Sequence, residues 1–212
     1  MVNLLAAGRK SDGFKNSLMN RNEEENNHHH KKFDNITWEE KTISGRYFDH
    51  CTFYKCSLKG SIFEDCNFEK CVFEECDLSL IKFKDTAVSN AQINGSKAIG
   101  IVWHAASNPV SVNFKNSRIS YSSFYGKNLK KMQVVDCIAD ETDFTNCNLT
   151  QSNFAGTDLR NAIFVNTDLS QANFVNATNY SINLQNNKTK KAKFSLPEAL
   201  SFLYALDIIL VE

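Results

Sequence analysis

The sequence predicts an all-β solenoid, a chain wound into a square coil with one five-residue unit on each side. Three observations carry this. In the stretch Cys137 to Asn176, the residues Phe144, Leu149, Phe154, Leu159, Phe164, Leu169 and Phe174 recur every fifth position. That period is neither helical nor that of a simple strand. The residue two before each is small (Thr142, Cys147, Ser152, Thr157, Ala162, Thr167 and Ala172), and the one just before is Asp or Asn, Ile163 excepted. Side-chain type also persists every twenty residues, as in Phe124, Phe144 and Phe164, or Leu129, Leu149 and Leu169. Four units per coil would stack these columns, and each buried Phe or Leu would contribute about 1.5–3 kcal/mol. A large residue at the small position would overfill the square.

Residues 1–30 read as a flexible polar arm, with Glu23 to Asn27 and then His28, His29 and His30 in a solvated tail rather than a metal trap. The repeat spans 31–194. It starts in one phase with Phe33, Trp38, Ile43, Phe48 and Phe53 and holds that phase to Ile93. Lys31, Ile36, Lys41 and Arg46 occupy the small position in the first units, which marks them as a fraying or capping end. Stacking also sets Lys55 beside Glu75 and Glu64 beside Lys84. The pattern breaks at about 98–111 and resumes at Phe114 one residue out of phase. That slip needs an insertion or bulge, and Asn108-Pro109 is a natural turn for it. Leu184 extends the Phe124 column, and Phe194 closes the last unit. In 195–212, Ser195 and Glu198 read as a capping box with Pro197 in the first turn, opening a helix through Leu206 that carries Leu200, Leu203 and Tyr204. Such a helix would cover the open end of the coil.

Composition narrows the function classes. Charges balance at 24 basic and 24 acidic residues, so no global field favours nucleic acid or membrane. No apolar run is long enough to span a bilayer, and MVNLLAAGRK lacks the basic start of a signal peptide, so the cytoplasm is the expected compartment. The seven cysteines all occupy the small position. That makes them core fillers rather than convergent metal ligands. Stacking would bring Cys51 over Cys71 and Cys56 over Cys76, within disulfide range, but a reducing cytosol favours free thiols. Phosphate loops, dinucleotide fingerprints and HExxH are absent, and acidic pairs would project from a convex rod. No catalytic residue, cofactor or metal is expected.

The units Thr157-Asp158-Leu159-Arg160-Asn161 and Ala172-Asn173-Phe174-Val175-Asn176 resemble the pentapeptide-repeat family. The resemblance covers about residues 33–194 and implies a right-handed quadrilateral β-helix of seven to eight coils, about 35–40 Å long. It implies a non-catalytic rod that binds another protein. The C-terminal helix is similar to that of the quinolone-resistance branch, whose members bind DNA gyrase as DNA mimics and join end to end. A homodimer through Leu203, Tyr204, Ile208, Ile209 and Leu210 is therefore expected, and an exposed apolar tail points the same way.

Two regions are candidates for partner binding. One is the break, with Trp103, His104 and Pro109, where Trp103 is either an exposed anchor or a cover folded over the core. The other is the acidic group Glu64, Asp65, Glu69, Glu74 and Glu75. Gyrase mimicry requires a dense negative track. Residues 36–100 hold 10 acidic and 8 basic side chains and 101–176 hold 6 of each, while Lys188, Lys190, Lys191 and Lys193 make the far end basic. The leading expectation is thus an unidentified protein partner, with a type II topoisomerase as the alternative. Direct nucleic-acid binding is not expected.

Overall fold

The computed structural model describes residues 26–204. They wind into a β-solenoid of about 8 turns with a short C-terminal helix. Every pairing between coils is parallel. The first face stacks Asn27–His29, Tyr47–Asp49, Asn67–Glu69 and Ala87–Ser89. The second runs from Lys32–Asp34 through Thr52–Tyr54, Val72–Glu74, Ala91–Asn94 and Val112–Lys115 to Val134–Val135. The fourth stacks Thr42–Ser44, Ile62–Glu64 and Lys82–Lys84. On the third face the coils meet only through isolated bridges such as Thr37 to Ser57 and Ser57 to Asp77.

The central residue of each unit points inward. Aromatic rings at this position stack face to face along the axis. Phe33, Phe53 and Phe73 are spaced at 4.7 and 4.8 Å. Phe124, Phe144 and Phe164 are spaced at 5.3 and 5.2 Å. One coil rise therefore sets ring separation, which is why a column keeps its side-chain type. The expected surface pairs also form, Lys55 with Glu75 at 3.7 Å and Lys84 with Glu64.

The corners are of two kinds. At a turn corner the central carbonyl accepts the N–H three residues on, as Leu149 does from Ser152 and Leu159 from Ala162. There the Asp or Asn before the central residue accepts the N–H after it, as Asn148 does from Thr150 and Asp168 from Ser170. At a strand corner the chain runs extended through the centre, and its carbonyl lacks that local donor. The small residue of the next coil supplies one. Cys56, Cys66, Cys71 and Cys76 donate Sγ–H to the carbonyls of Phe33, Ile43, Phe48 and Phe53 at 3.2–3.3 Å. Thr86, Thr157 and Ser117 do the same for Phe63, Val134 and Ile93. Asn187 does so for Phe164 and also accepts the Thr167 N–H. Ala91 and Ala106, near the break, stand in this position without a donor. The cysteines are therefore hydrogen-bonding corner pieces as well as fillers. All seven are buried and free, so neither Cys51–Cys71 nor Cys56–Cys76 is bridged.

At the break, Ala87 still pairs with Ser107, twenty residues on, whereas Gln92 pairs with Asn113, twenty-one on. The extra residue thus lies between Ser107 and Asn113, where the Asn108–Pro109 peptide is cis. Trp103 is 1% exposed and stacks on Phe124 at 5.7 Å within the core. It is a cover over the core and not an exposed anchor. Lys127 occupies a small-residue position here and is buried. Its Nζ donates to the Ala106 carbonyl at 2.9 Å and to Asn108 Oδ1 at 2.7 Å, tying the loop to the next coil.

Both ends differ from expectation. Among the described residues strand pairing begins at Asn27, so His28–His30 belong to a coil and not to a tail. His28 is buried and packs against the rings of Phe33 and Phe48, which also touch each other. Lys31 lies over the Phe33 ring and Arg46 over Trp38, so their stems shield the first aromatic layer. At the other end Leu184 is 41% exposed, and Tyr180 and Ile182 are buried instead. The capping box does not form. Ser195 Oγ accepts the N–H of Asn176, and Glu198 Oε1 accepts that of Asn179, so both side chains cap the last coil rather than the helix. A 3₁₀ turn, Glu198–Leu200, leads into a helix at Ser201–Tyr204. The residue that closes the core is Phe202, packed on Phe194 and Tyr180, while Leu200 is exposed. Leu203 is half-buried. Leu206, Ile208, Ile209 and Leu210 lie outside the described residues, as do residues 1–25.

Candidate functional site

A cluster in sequence becomes scattered on a square coil, because five residues turn one corner. Glu64 lies on the fourth face, Glu69 on the first and Glu74 on the second, with Asp65 and Glu75 at corners. Local partners neutralise several of them. Lys84 meets Glu64, Lys55 meets Glu75, Lys70 lies 3.6 Å from Glu69, and Tyr47 donates to Glu69 at 2.9 Å. The five carboxylates make no single acidic track.

Of the break residues, His104 and Pro109 are exposed and Trp103 is not. His104 Nδ1 lies 3.3 Å from Ser123 Oγ. Pro109 rims an open depression of about 370 Å³ that also holds Val110, Met132, Lys130 and Lys131.

The most unusual surface lies where no motif pointed. The corner between the third and fourth faces stacks Glu40, Gly60, Leu80, Gly100, Tyr121 and Glu141. Corner residues adopt positive φ, a conformation suited to Gly, Asn or Asp. Leu80 and Tyr121 do so at φ 61° each, while 51% and 58% exposed. They flank Gly100, whose φ is +66° and whose absent Cβ would sit 2.8 Å from Leu80 Cδ2. Gly100 thus makes room for Leu80 to lean over it. Val102, 46% exposed, and Ala105 extend the apolar surface into a depression of about 480 Å³. The sequence signal was available: a large apolar residue at a corner position otherwise filled by polar residues and glycine.

Burial pushes the thiols of Cys71, Cys76 and Cys147 up to about 12 and that of Cys137 to about 11, so none is a thiolate near neutrality. Burial also lowers the Lys127 pKa. Burial alone would raise the Asp49 carboxyl, but hydrogen bonds from His29 and His50 and their charges outweigh it and hold the group below its ordinary range. Asp49 joins His29, His30 and His50 in a polar group on the first two coils. Among the described residues no helix is long and apolar enough to cross a membrane.

Two family profiles match the chain, one described as a pentapeptide repeat region over residues 46–124 and one as pentapeptide repeats (8 copies) over 140–178. No curated protein matches. Among solved structures, a trypsin-treated variant of QnrB1, a plasmid-mediated fluoroquinolone resistance protein, aligns at 18% identity and TM-score 0.57, covering 84% of this chain and 99% of that one. HetL, a pentapeptide repeat protein involved in heterocyst differentiation regulation from the cyanobacterium Nostoc sp. strain PCC 7120, aligns at 16% identity and TM-score 0.51, covering 83% and 77%. At these identities the likeness is one of fold. The period of five, the stacked columns and the two profiles agree, and the chain belongs to the pentapeptide-repeat family.

Proposed function

We propose that this protein is a non-catalytic, rod-shaped module that binds another protein through the corner formed by Leu80, Gly100, Val102 and Tyr121. The observation that supports this most is the pair of bulky apolar side chains in left-handed corner positions. Each carries a backbone penalty of about 1–2 kcal/mol that Asn or Gly would avoid. Neither contributes to the core in return, since both are more than half exposed. A partner that inserts an apolar side chain beside Gly100 would desolvate all four residues at once. The depressions of the described surface are open, and the acidic side chains diverge, so a water-excluded catalytic constellation has no support.

The test uses Leu80→Asn combined with Tyr121→Asn, since Asn accepts the corner conformation and preserves the coil. Cross-linked pull-downs from the native cell should recover a partner with the wild-type rod and lose it with the double variant. Equal recovery would move the binding surface elsewhere.

A second reading, a topoisomerase-binding rod, draws on likeness of shape to QnrB1 and is weakened by the dispersed acidic groups. A gyrase supercoiling assay with a fluoroquinolone separates the two: absence of both protection and inhibition removes it. Self-association through the C-terminal segment around Leu203 and Tyr204 is part of the proposal. Light scattering should give twice the 24.0 kDa chain mass, and a clean monomer rules it out.

A further inference from the structure

The four polar groups on the first two coils form a two-by-two array. His29 and His30 occupy adjacent positions on the first coil, and Asp49 and His50 occupy the same positions one coil above. Parallel stacking brings each pair to one coil rise. The His30 and His50 rings lie 4.8 Å apart and nearly parallel, at 23°. His29 Nδ1 is 3.3 Å from Asp49 Oδ2, and His50 Nδ1 is 2.6 Å from Asp49 Oδ1. Ligand atoms of His30, Asp49 and His50 fall within 4.8 Å of one another. His28, next in sequence, points into the core and takes no part.

From this juxtaposition we infer that His30, Asp49 and His50, with His29 at the edge, form a binding site for a divalent transition-metal ion of the zinc class. Imidazole nitrogens and a carboxylate are the donor set such ions take, at bond lengths of about 2.0–2.2 Å. Tetrahedral donors at those lengths lie about 3.3 Å apart. Closing from 4.8 Å calls for rotation of the exposed His30 and His50 rings out of their stack, with the His50–Asp49 hydrogen bond exchanged for bonds to the ion. Ligands from two coils make the ion a clamp. It would pin the strand Asn27–His29, whose one neighbour among the described strands is Tyr47–Asp49, to that neighbour. The ion would thus tie the first two coils together at their surface.

Zinc titration of the full-length chain by calorimetry should give one ion per chain. His30→Asn and His50→Asn suit the backbone, since φ is 49° and 51° at these positions and Asn accepts such values. Each of these, and Asp49→Asn, should weaken binding by about tenfold or more, because each removes one of a small set of donors. His104→Asn, remote from the array, should bind as wild type does. Hydrogen exchange should slow over Asn27–Asp34 when zinc is added to the wild type but not to His50→Asn. Cobalt substitution guards against the buried cysteines: a thiolate charge-transfer band would overturn the assignment. So would zinc affinity that is undetectable, or equal in wild type and His50→Asn.

Discussion

The two halves of the rod reach the same cross-section with different corners. From 46 to 95, three faces are strands, and most of their corner carbonyls accept a bond from Cys, Thr or Ser of the coil above, those of Phe68 and Phe83 excepted. From 137 to 176, nearly every corner is a turn that satisfies its own carbonyl, and Asp or Asn before the central residue caps the N–H after it. The halves therefore differ in their letters for one reason. Most strand corners take a side-chain donor from the small position of the next coil, with Ala91 and Ala106 the exceptions. A turn corner needs none, so alanine suffices at Ala162, Ala172 and Ala177. Five of the seven cysteines fall in the first half because most of its corners are strands. Ile163 departs from the Asp/Asn rule because the Phe164 corner is one where Asn187 of the next coil provides the bonds. Asn67 is the converse: an Asn on a strand face, whose buried Oδ1 finds no partner among the described residues.

The comparison can be broken or sharpened by substitution. The largest effect concerns what the halves share. Leu159→Asp and Phe63→Asp each bury an unpaired charge and should destabilise by several kcal/mol, abolishing the β signal in circular dichroism. If one half of the rod keeps its hydrogen-exchange protection while the other melts, the coils are less coupled than continuous stacking implies.

The next effect is alkaline and should be stronger in the first half. Folded thiols at Cys71 and Cys76 titrate near 12 against an ordinary 9.0. Between those values the unfolded chain has lost protons that the folded chain keeps, so stability falls as pH rises. Their contribution is complete below pH 9.0 and lost as pH passes through about 12. Urea titrations across that window should show the decline, and a variant with Cys71→Thr and Cys76→Thr should show less of it.

A smaller contrast separates the corner types directly. Cys66→Ala removes the side-chain donor to the Ile43 carbonyl, which also lies in the ladder with Ile62–Glu64, and should cost about 0.5–1.5 kcal/mol. Cys147→Ala should cost under about 1 kcal/mol, since the Phe124 carbonyl still accepts the Lys127 N–H at 3.0 Å. Equal losses would mean that both act as fillers alone.

The smallest pair tests the Asp/Asn rule by denaturant midpoints. Asn148→Ala removes the acceptor for Thr150 and should cost about 0.5–1.5 kcal/mol. Asn67→Thr relieves an unpaired buried oxygen on a strand face and should stabilise by up to about 1 kcal/mol.

The sequence alone determined the coil. A strict period of five with a twenty-residue recurrence has few solutions, because each inward side chain must stack on its like. That fixed the core columns, the buried cysteines, the position of the one-residue slip and surface pairs such as Lys55 with Glu75. The ends and the candidate sites were decided only in three dimensions. Winding scattered the acidic residues over three faces, although they are neighbours in the chain. It carried His28 inward while setting His29 and His30 beside Asp49 and His50, twenty residues away. Ser195 and Glu198 match a helix cap in sequence, but the open N–H groups of Asn176 and Asn179 lay nearer and took them. Leu80 and Tyr121 read as two unrelated apolar residues until the column placed them on either side of Gly100. Period specifies which side chains face in, since burial is a local choice repeated along the chain. Which outward residues meet depends on the turn count between them, and that is set by the coil as a whole.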